Sequence, residues 1–366
     1  MKQLMGGARR RTALVGGAVV VLVAAGLGTW ATDTWPFDGK DTYCWGAWKE
    51  DSGPGFLSRE ALDEDNASRT SKETAPTPRR QRGQCTVSLH SERVGSDGDQ
   101  IVAETKITVT YGPAPEGAGQ RLEWIDGYLG DRAMPLPDGL PGATDGKQAL
   151  LVLPEGCDTR DGRPTAVTLD TMARTVYSDT TMSADAGLGG SQSVARLLVA
   201  VANRAMEKAG CAPAEPLEAV SPMTTLPEED ESFFTRACRI RGLEFGKEGR
   251  DLEYQVGAVT RDFQSCSVRT QRGDGRYFDA LMVAQPRFSA LLDGVTGTKA
   301  PARGWRGTGV FADDYKVVRA DCAGRPLTVL MLAPSPHETT PYFTAFANAV
   351  ARRVGCAPIA PGGSSR

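Results

Sequence analysis

The chain has 366 residues, 40% of them hydrophobic and 24% charged, which allows about two domains and excludes a globally disordered protein. Its formal net charge is −3, and removing the four positive charges of residues 1–31 (Lys2, Arg9, Arg10 and Arg11, with no acid among them) leaves −7 on the remainder. An acidic bulk favours solubility and argues against a nucleic-acid partner.

Residues 1–11 read as a basic tail, and Thr12 to Ala31 is an uncharged run of twenty residues, "TALVGGAVVVLVAAGLGTWA". As a helix this run is roughly 30 Å long, the thickness of a bilayer's hydrocarbon core. The arginine cluster predicts a cytoplasmic N-terminus, so the chain is expected to cross the cell membrane once, with Trp30 and Trp35 near the outer interface and the bulk outside. The alternative is a secreted protein cleaved near Ala31, where Thr29 and Ala31 hold the small-residue positions of a signal peptidase site. The run exceeds the ~7–15 apolar residues of a signal peptide, which favours the anchor.

The remainder reads as a duplication. "GLPGATDGKQALLVLPEGC" (Gly139 to Cys157) lies without gaps on "GWRGTGVFADDYKVVRADC" (Gly304 to Cys322). Each is followed by Gly-Arg-Pro and a second apolar run, then by a helix ending in Gly-Cys-Ala-Pro, at Gly210 to Pro213 and at Gly355 to Pro358. The copies are expected at residues 32–211 and 232–358. Between them, residues 212–231 carry four prolines and no apolar periodicity, the composition of a semi-extended linker; residues 359–366 read as a flexible tail. The first copy is longer because of polar stretches, Glu64 to Gln84 and Ser178 to Gly190, which read as loops.

Alternating residues from Ile101 to Tyr111 place Ile107, Val109 and Tyr111 on one face of a strand. A hairpin turning at Gly-Arg-Pro follows, and then the closing helix. Val194, Leu197, Leu198, Val201 and Ala205 form one face of the first closing helix. Phe343, Phe346, Ala347, Val350 and Val354 do so in the second, with Thr340 as its cap and Pro341 in its first turn. Gly210 and Gly355 fit the left-handed stop. The expected fold class is α+β: after the transmembrane helix come two related disulfide-stabilised domains, each an antiparallel sheet with a C-terminal helix.

The eight cysteines divide into two sets of four, Cys44, Cys85, Cys157 and Cys211, then Cys238, Cys266, Cys322 and Cys356. Four cysteines allow three pairings per domain. We expect Cys157–Cys211 and Cys322–Cys356, which pin each helix end to a strand turn, leaving Cys44–Cys85 and Cys238–Cys266. No Cys-x-x-Cys or Cys/His cluster points to a metal, and no cofactor motif is present.

The anchor, the opening "CWGAW…EDSGPGFL" and the doubled Gly-Cys-Ala-Pro ending together resemble membrane-anchored envelope proteins of actinomycetes that carry no assigned activity. The resemblance implies an extracytoplasmic location and brings no catalytic or ligand residue.

No catalytic residue is expected. His90 and His337 are the only histidines, neither is repeated, and Gly-x-Ser-x-Gly is absent. The acidic runs at Pro227 to Glu231 and Asp313–Asp314 read as solvated faces. The Gly-x-x-Gly at Gly139 and Gly304 leads into a strand and reads as a turn, not a phosphate loop. Arg79 and Arg80 read as solvated loop residues. Trp45 and Trp48 of "CWGAW" form a candidate contact patch for a partner, a glycan or the membrane surface, set against core packing beside a disulfide. The expected function is binding or scaffolding in the cell envelope by a tandem-domain, non-enzymatic protein whose partner is an unknown envelope protein or ligand. The alternatives are a carrier or sensor of an apolar small molecule and, further off, an envelope hydrolase.

Overall fold

Two sheets of shared strand order follow one another along the chain in the computed structural model, which describes residues 42–63, 66–95, 97–129, 133–177, 180–184, 187–223, 237–240, 243, 245, 252–256, 259–270, 276–313, 315–332 and 340–362. The expected transmembrane run, His337, Asp314 and the acidic run at 227–231 lie outside these residues. Among the described residues no helix is long and apolar enough to cross a membrane.

The first copy opens with a small ribbon, β1 (Thr42–Tyr43) and β2 (Trp48–Lys49). Its main sheet contains β3 (Ser68–Thr74), β4 (Gly83–Val94), β5 (Gln100–Pro113), β6 (Met134–Pro135), β7 (Gly142–Thr144), β8 (Ala149–Val152), β9 (Thr165–Tyr177) and β10 (Thr180–Ala184). Helix α1 (Ala118–Leu129) connects β5 to β6, and α2 (Ser191–Ala209) closes the copy. The second copy has β11 (Leu252–Val256), β12 (Phe263–Thr270), β13 (Arg276–Val283), β14 (Thr308–Phe311), β15 (Lys316–Asp321) and β16 (Pro326–Met331). Its helices are α3 (Pro286–Ser289), after β13, and α4 (Thr340–Arg353) at the end.

The sheet orders are β3-β4-β5-β9-β8-β7-β6, with β10 beside β9, and β11-β12-β13-β16-β15-β14. Every pairing among the described residues is antiparallel, and six strands of the first sheet correspond in order and register to the six of the second. The cross-strand row Glu73, Cys85, Val109, Leu169, Ala149, Thr144 in the first has its counterpart in Val256, Cys266, Ala280, Met331, Lys316, Phe311 in the second.

This row corrects the gap-free alignment. Thr144 matches Phe311 and Ala149 matches Lys316, two residues from where the sequences were laid together. Side chains alternate with period two, so a slip of two keeps every residue on its face and leaves no mark in the hydrophobic pattern. The glycines mark the true register. A β-carbon on Gly142 would run into the Leu150 carbonyl oxygen, and one on Gly309 into the Val317 carbonyl oxygen, at equivalent places in the two hairpins.

All four expected disulfides are present, Cys44–Cys85, Cys157–Cys211, Cys238–Cys266 and Cys322–Cys356, with Cα separations of 5.1 to 5.3 Å. Both closing helices end alike. Gly210 (φ 74°) and Gly355 (φ 85°) are left-handed, and the next amide, of Cys211 or Cys356, bonds back to the Met206 or Ala351 carbonyl. Thr340 is the first residue of α4 and not its cap, and Val354 lies just past the helix.

The polar stretches expected as loops contain strands, β3 in one and β10 in the other. Neither buries a full face, so neither carries an apolar alternation; each exists because its backbone pairs with β4 or β9. The segment expected as a linker is docked as far as Met223, with Leu217, Ala219 and Met223 on the first core. Asn203 of α2 donates to the Leu217 carbonyl (2.9 Å) and accepts from the Leu217 amide (2.9 Å). Asn348 of α4 makes the same pair of bonds to Ala360 (3.2 and 2.9 Å). The expected tail is therefore held through Ile359 and Ala360, both buried.

Each sheet packs its closing helix on one face. The opposite faces meet in a third core that belongs to both copies: Leu122, Ile125 and Leu129 of α1 with Leu150 and Val152, against Phe263, Leu281, Phe288, Val317 and Leu330. Two arginines hook across it in opposite directions. Arg121 of α1 donates to the Asp293 carbonyl (2.6 Å). Arg287 of α3 donates to the Leu153 carbonyl (2.6 Å) and pairs with Asp158.

Candidate binding cleft

The shared core covers only part of the first sheet's outer face. Over β7 and β8 that face is apolar and meets the second copy; over β4, β5 and β9 it carries the row Gln84, Thr110, Thr168. The equivalent row of the second copy is Ser265, Leu281, Leu330. There the two leucines are buried in the shared core, and Ser265 donates to the Ala133 carbonyl (2.8 Å). Equivalent faces of the two sheets thus differ: in the second copy the face is an interface, and in the first Gln84 and Thr110 stay exposed while Thr168 is buried beside them.

That surface forms one side of a solvent-open cleft of about 520 Å³. Its floor is Gln84, Thr110, Tyr111, Gly112, Ala166 and Thr168; Trp124 of α1 forms a wall, and Arg80 and Arg82 stand at the rim. Local sequence builds each part. The β3–β4 connection folds back through reciprocal bonds between Thr77 and Arg80, and the Arg80 guanidinium donates to the Ala75 carbonyl (2.8 Å). Gly83 starts β4 against Pro76, where a β-carbon would sit 2.6 Å from the proline Cδ. Helix α1 turns its apolar side to the shared core and leaves Trp124 half-buried at the edge, edge-on to Tyr128 at 6.0 Å. Burial raises the Tyr128 phenol; a hydrogen bond from Thr168 opposes the rise and the nearby Asp170 adds to it, so the hydroxyl is protonated at neutral pH.

The lining includes two arginines and no carboxylate. Among the described residues, Arg82, the Gln84 amide, the Thr110 hydroxyl and the Trp124 indole N–H make no hydrogen bond or ion pair, so these groups are available to a ligand. Tyr111 contributes backbone, because its ring points into the first core.

Trp45 and Trp48 are elsewhere, and the contact-patch expectation gives way to core packing. They are 9% and 1% exposed. The Trp48 indole donates to the Leu197 carbonyl of α2 (3.0 Å). Cys44 and Trp45 are both left-handed (φ 51° and 64°), and their consecutive amides hold the Glu73 carboxylate at 3.2 and 2.9 Å. Cys238 and Arg239 repeat the left-handed pair (φ 52° and 51°), so the conformation belongs to the duplicated cysteine turn and not to the tryptophans. His90 is on β4, beside Glu92 on the surface and outside the cleft. Asp313 is exposed. Of the residues weighed as site candidates in sequence, Arg80 reaches the cleft. Trp124 was missed although Leu122, Ile125 and Leu129 carry a helical spacing that would have placed it on a helix edge.

Fold and cleft together define a duplicated, disulfide-linked α+β protein with an open cleft on its first copy. No protein-family model matches the chain, and no curated protein matches it in sequence.

Proposed function

We propose that the chain is a membrane-anchored, extracytoplasmic binding protein of the cell envelope in which the first copy holds the ligand and the second supports it. One observation carries the division of labour: Gln84 and Thr110 are exposed, whereas their counterparts Ser265 and Leu281 are buried where the two copies meet. The cleft supplies donors and an aromatic wall, a set suited to holding a ligand. The anchor rests on the Arg9–Arg11 cluster ahead of Thr12–Ala31, and four disulfides fit an oxidising compartment outside the cytoplasm. A carrier of apolar molecules would instead need enclosed space; among the described residues the two small cavities beside the second sheet hold about 10 Å³ each, room for one water at most.

Hydrogen–deuterium exchange tests this on the full-length chain, compared in isolated envelopes and in neutral detergent. The expected result is protection in envelopes confined to residues 80–84, 108–112 and 121–128. Protection elsewhere, or none, would overturn the assignment of the cleft as the binding surface.

A further inference from the structure

The cleft's chemistry narrows its ligand, and this inference rests on the binding role proposed for it above. The rim is cationic and unopposed: Arg82 is exposed and has no partner among the described residues, and no carboxylate lines the cleft. A guanidinium so placed favours an acid group, which it can grip with two parallel bonds. The wall is a half-buried indole with a free N–H, flanked by Pro113 and Pro115. A flat aromatic face accepts the apolar C–H face of a sugar ring, while the exposed Gln84 and Thr110 can bond the hydroxyls around that ring's edge.

A peptide is less well served. Peptides in extended form are held chiefly by backbone hydrogen bonds at an unpaired strand edge. The floor strands β4, β5 and β9 each have a neighbour on both sides, so the cleft floor presents side chains and no free backbone ladder. The cleft is open to solvent, which suits a ligand that continues beyond it as a chain.

We propose that the cleft binds an acidic saccharide chain, with a ring face against Trp124 and a carboxylate on Arg82.

The test is calorimetric titration of the full-length chain in neutral detergent with a short oligogalacturonate, a neutral glucan of equal length and an oligoglutamate. The expected result is saturable binding of the oligogalacturonate, weakened about ten- to a hundredfold by Arg82→Gln, the range of a lost charged hydrogen bond. Trp124→Ala should weaken it as well. Arg82 is exposed and makes no hydrogen bond or ion pair among the described residues, so its variant keeps the test valid if Trp124→Ala is unstable. Equal binding of the neutral glucan would overturn recognition of the acid group. Equal or tighter binding of oligoglutamate would overturn the saccharide. Binding of none, or binding indifferent to Arg82→Gln, would overturn the proposal. If exchange in envelopes still protects the cleft while oligogalacturonate fails to bind, the ligand class falls and the binding role stands.

Discussion

Asn203 and Asn348 show how much a single side chain can organise. Each sits one residue into the repeated phrase that begins "AN" and ends "GCAP", and each clasps the peptide unit that crosses its helix after the disulfide. The phrase is therefore a complete device, a clasp, a left-handed stop, a cysteine and a proline, and its repetition follows from the repetition of the packing. Tyr111 makes a residue-scale prediction. Burial pushes its phenol up to about 12 from the ordinary 10.0. In the unfolded chain the phenol ionises earlier, so above pH ~10 the unfolded state binds fewer protons than the folded one and stability falls as pH rises. Below that range the contribution is fully present. Urea unfolding at successive pH values between about 8 and 11 should show a decline that Tyr111→Phe flattens; an unchanged slope in the variant would mean that other groups cause it.

At the scale of elements, the strands that bury a face were legible and those that do not were hidden. Ile107, Val109 and Tyr111 alternate because one side of β5 meets α2. Ser68 to Thr74 and Thr180 to Ala184 have no such alternation, since their place is set by pairing with β4 and β9. The closing helices could be read from their apolar faces and glycine stops, and one disulfide of each copy from a cysteine just past the helix stop and another just past a strand; Cys44–Cys85 and Cys238–Cys266 followed as the cysteines left over. The Cys157–Cys211 bridge closes a separation of 54 residues. In the chain-entropy account, the paired replacement Cys157→Ser with Cys211→Ser should cost ~4 kcal/mol. Denaturant unfolding of that variant beside Cys322→Ser with Cys356→Ser would show whether the two equivalent bridges, the second spanning 34 residues, contribute in proportion to loop length.

At the scale of the molecule, the two copies are joined by a core to which each contributes large apolar side chains and by two arginine hooks running in opposite directions. Separating them would expose Leu150, Val152, Leu281 and Leu330 together, at ~25 cal/mol for each Å² uncovered. We therefore expect the copies to unfold together. Calorimetry should give one transition with equal calorimetric and van't Hoff enthalpies; two resolved transitions would mean that the shared core does not couple them. The junction also explains the cleft, because the second copy covers one half of the first sheet's outer face and leaves the other half free.

The sequence by itself determined the duplication, the antiparallel sheets with closing helices and the disulfide at each helix stop, because each leaves a local mark: a repeated phrase, a period, a glycine stop, a cysteine beside it; the second bridge of each copy followed only as the pair left over. It pointed to Trp45 and Trp48 as the notable aromatics, and local pattern could not tell that β2 and the cysteine turn press both rings into the core. Only the tertiary structure decided which of two related faces became an interface and which stayed open. That choice depends on how Leu281 and Leu330 meet Leu150 and Val152 across the copies, a contact between residues far apart in the chain. The same contact leaves Arg82, Gln84, Thr110 and Trp124, dispersed along the first copy, facing one cleft.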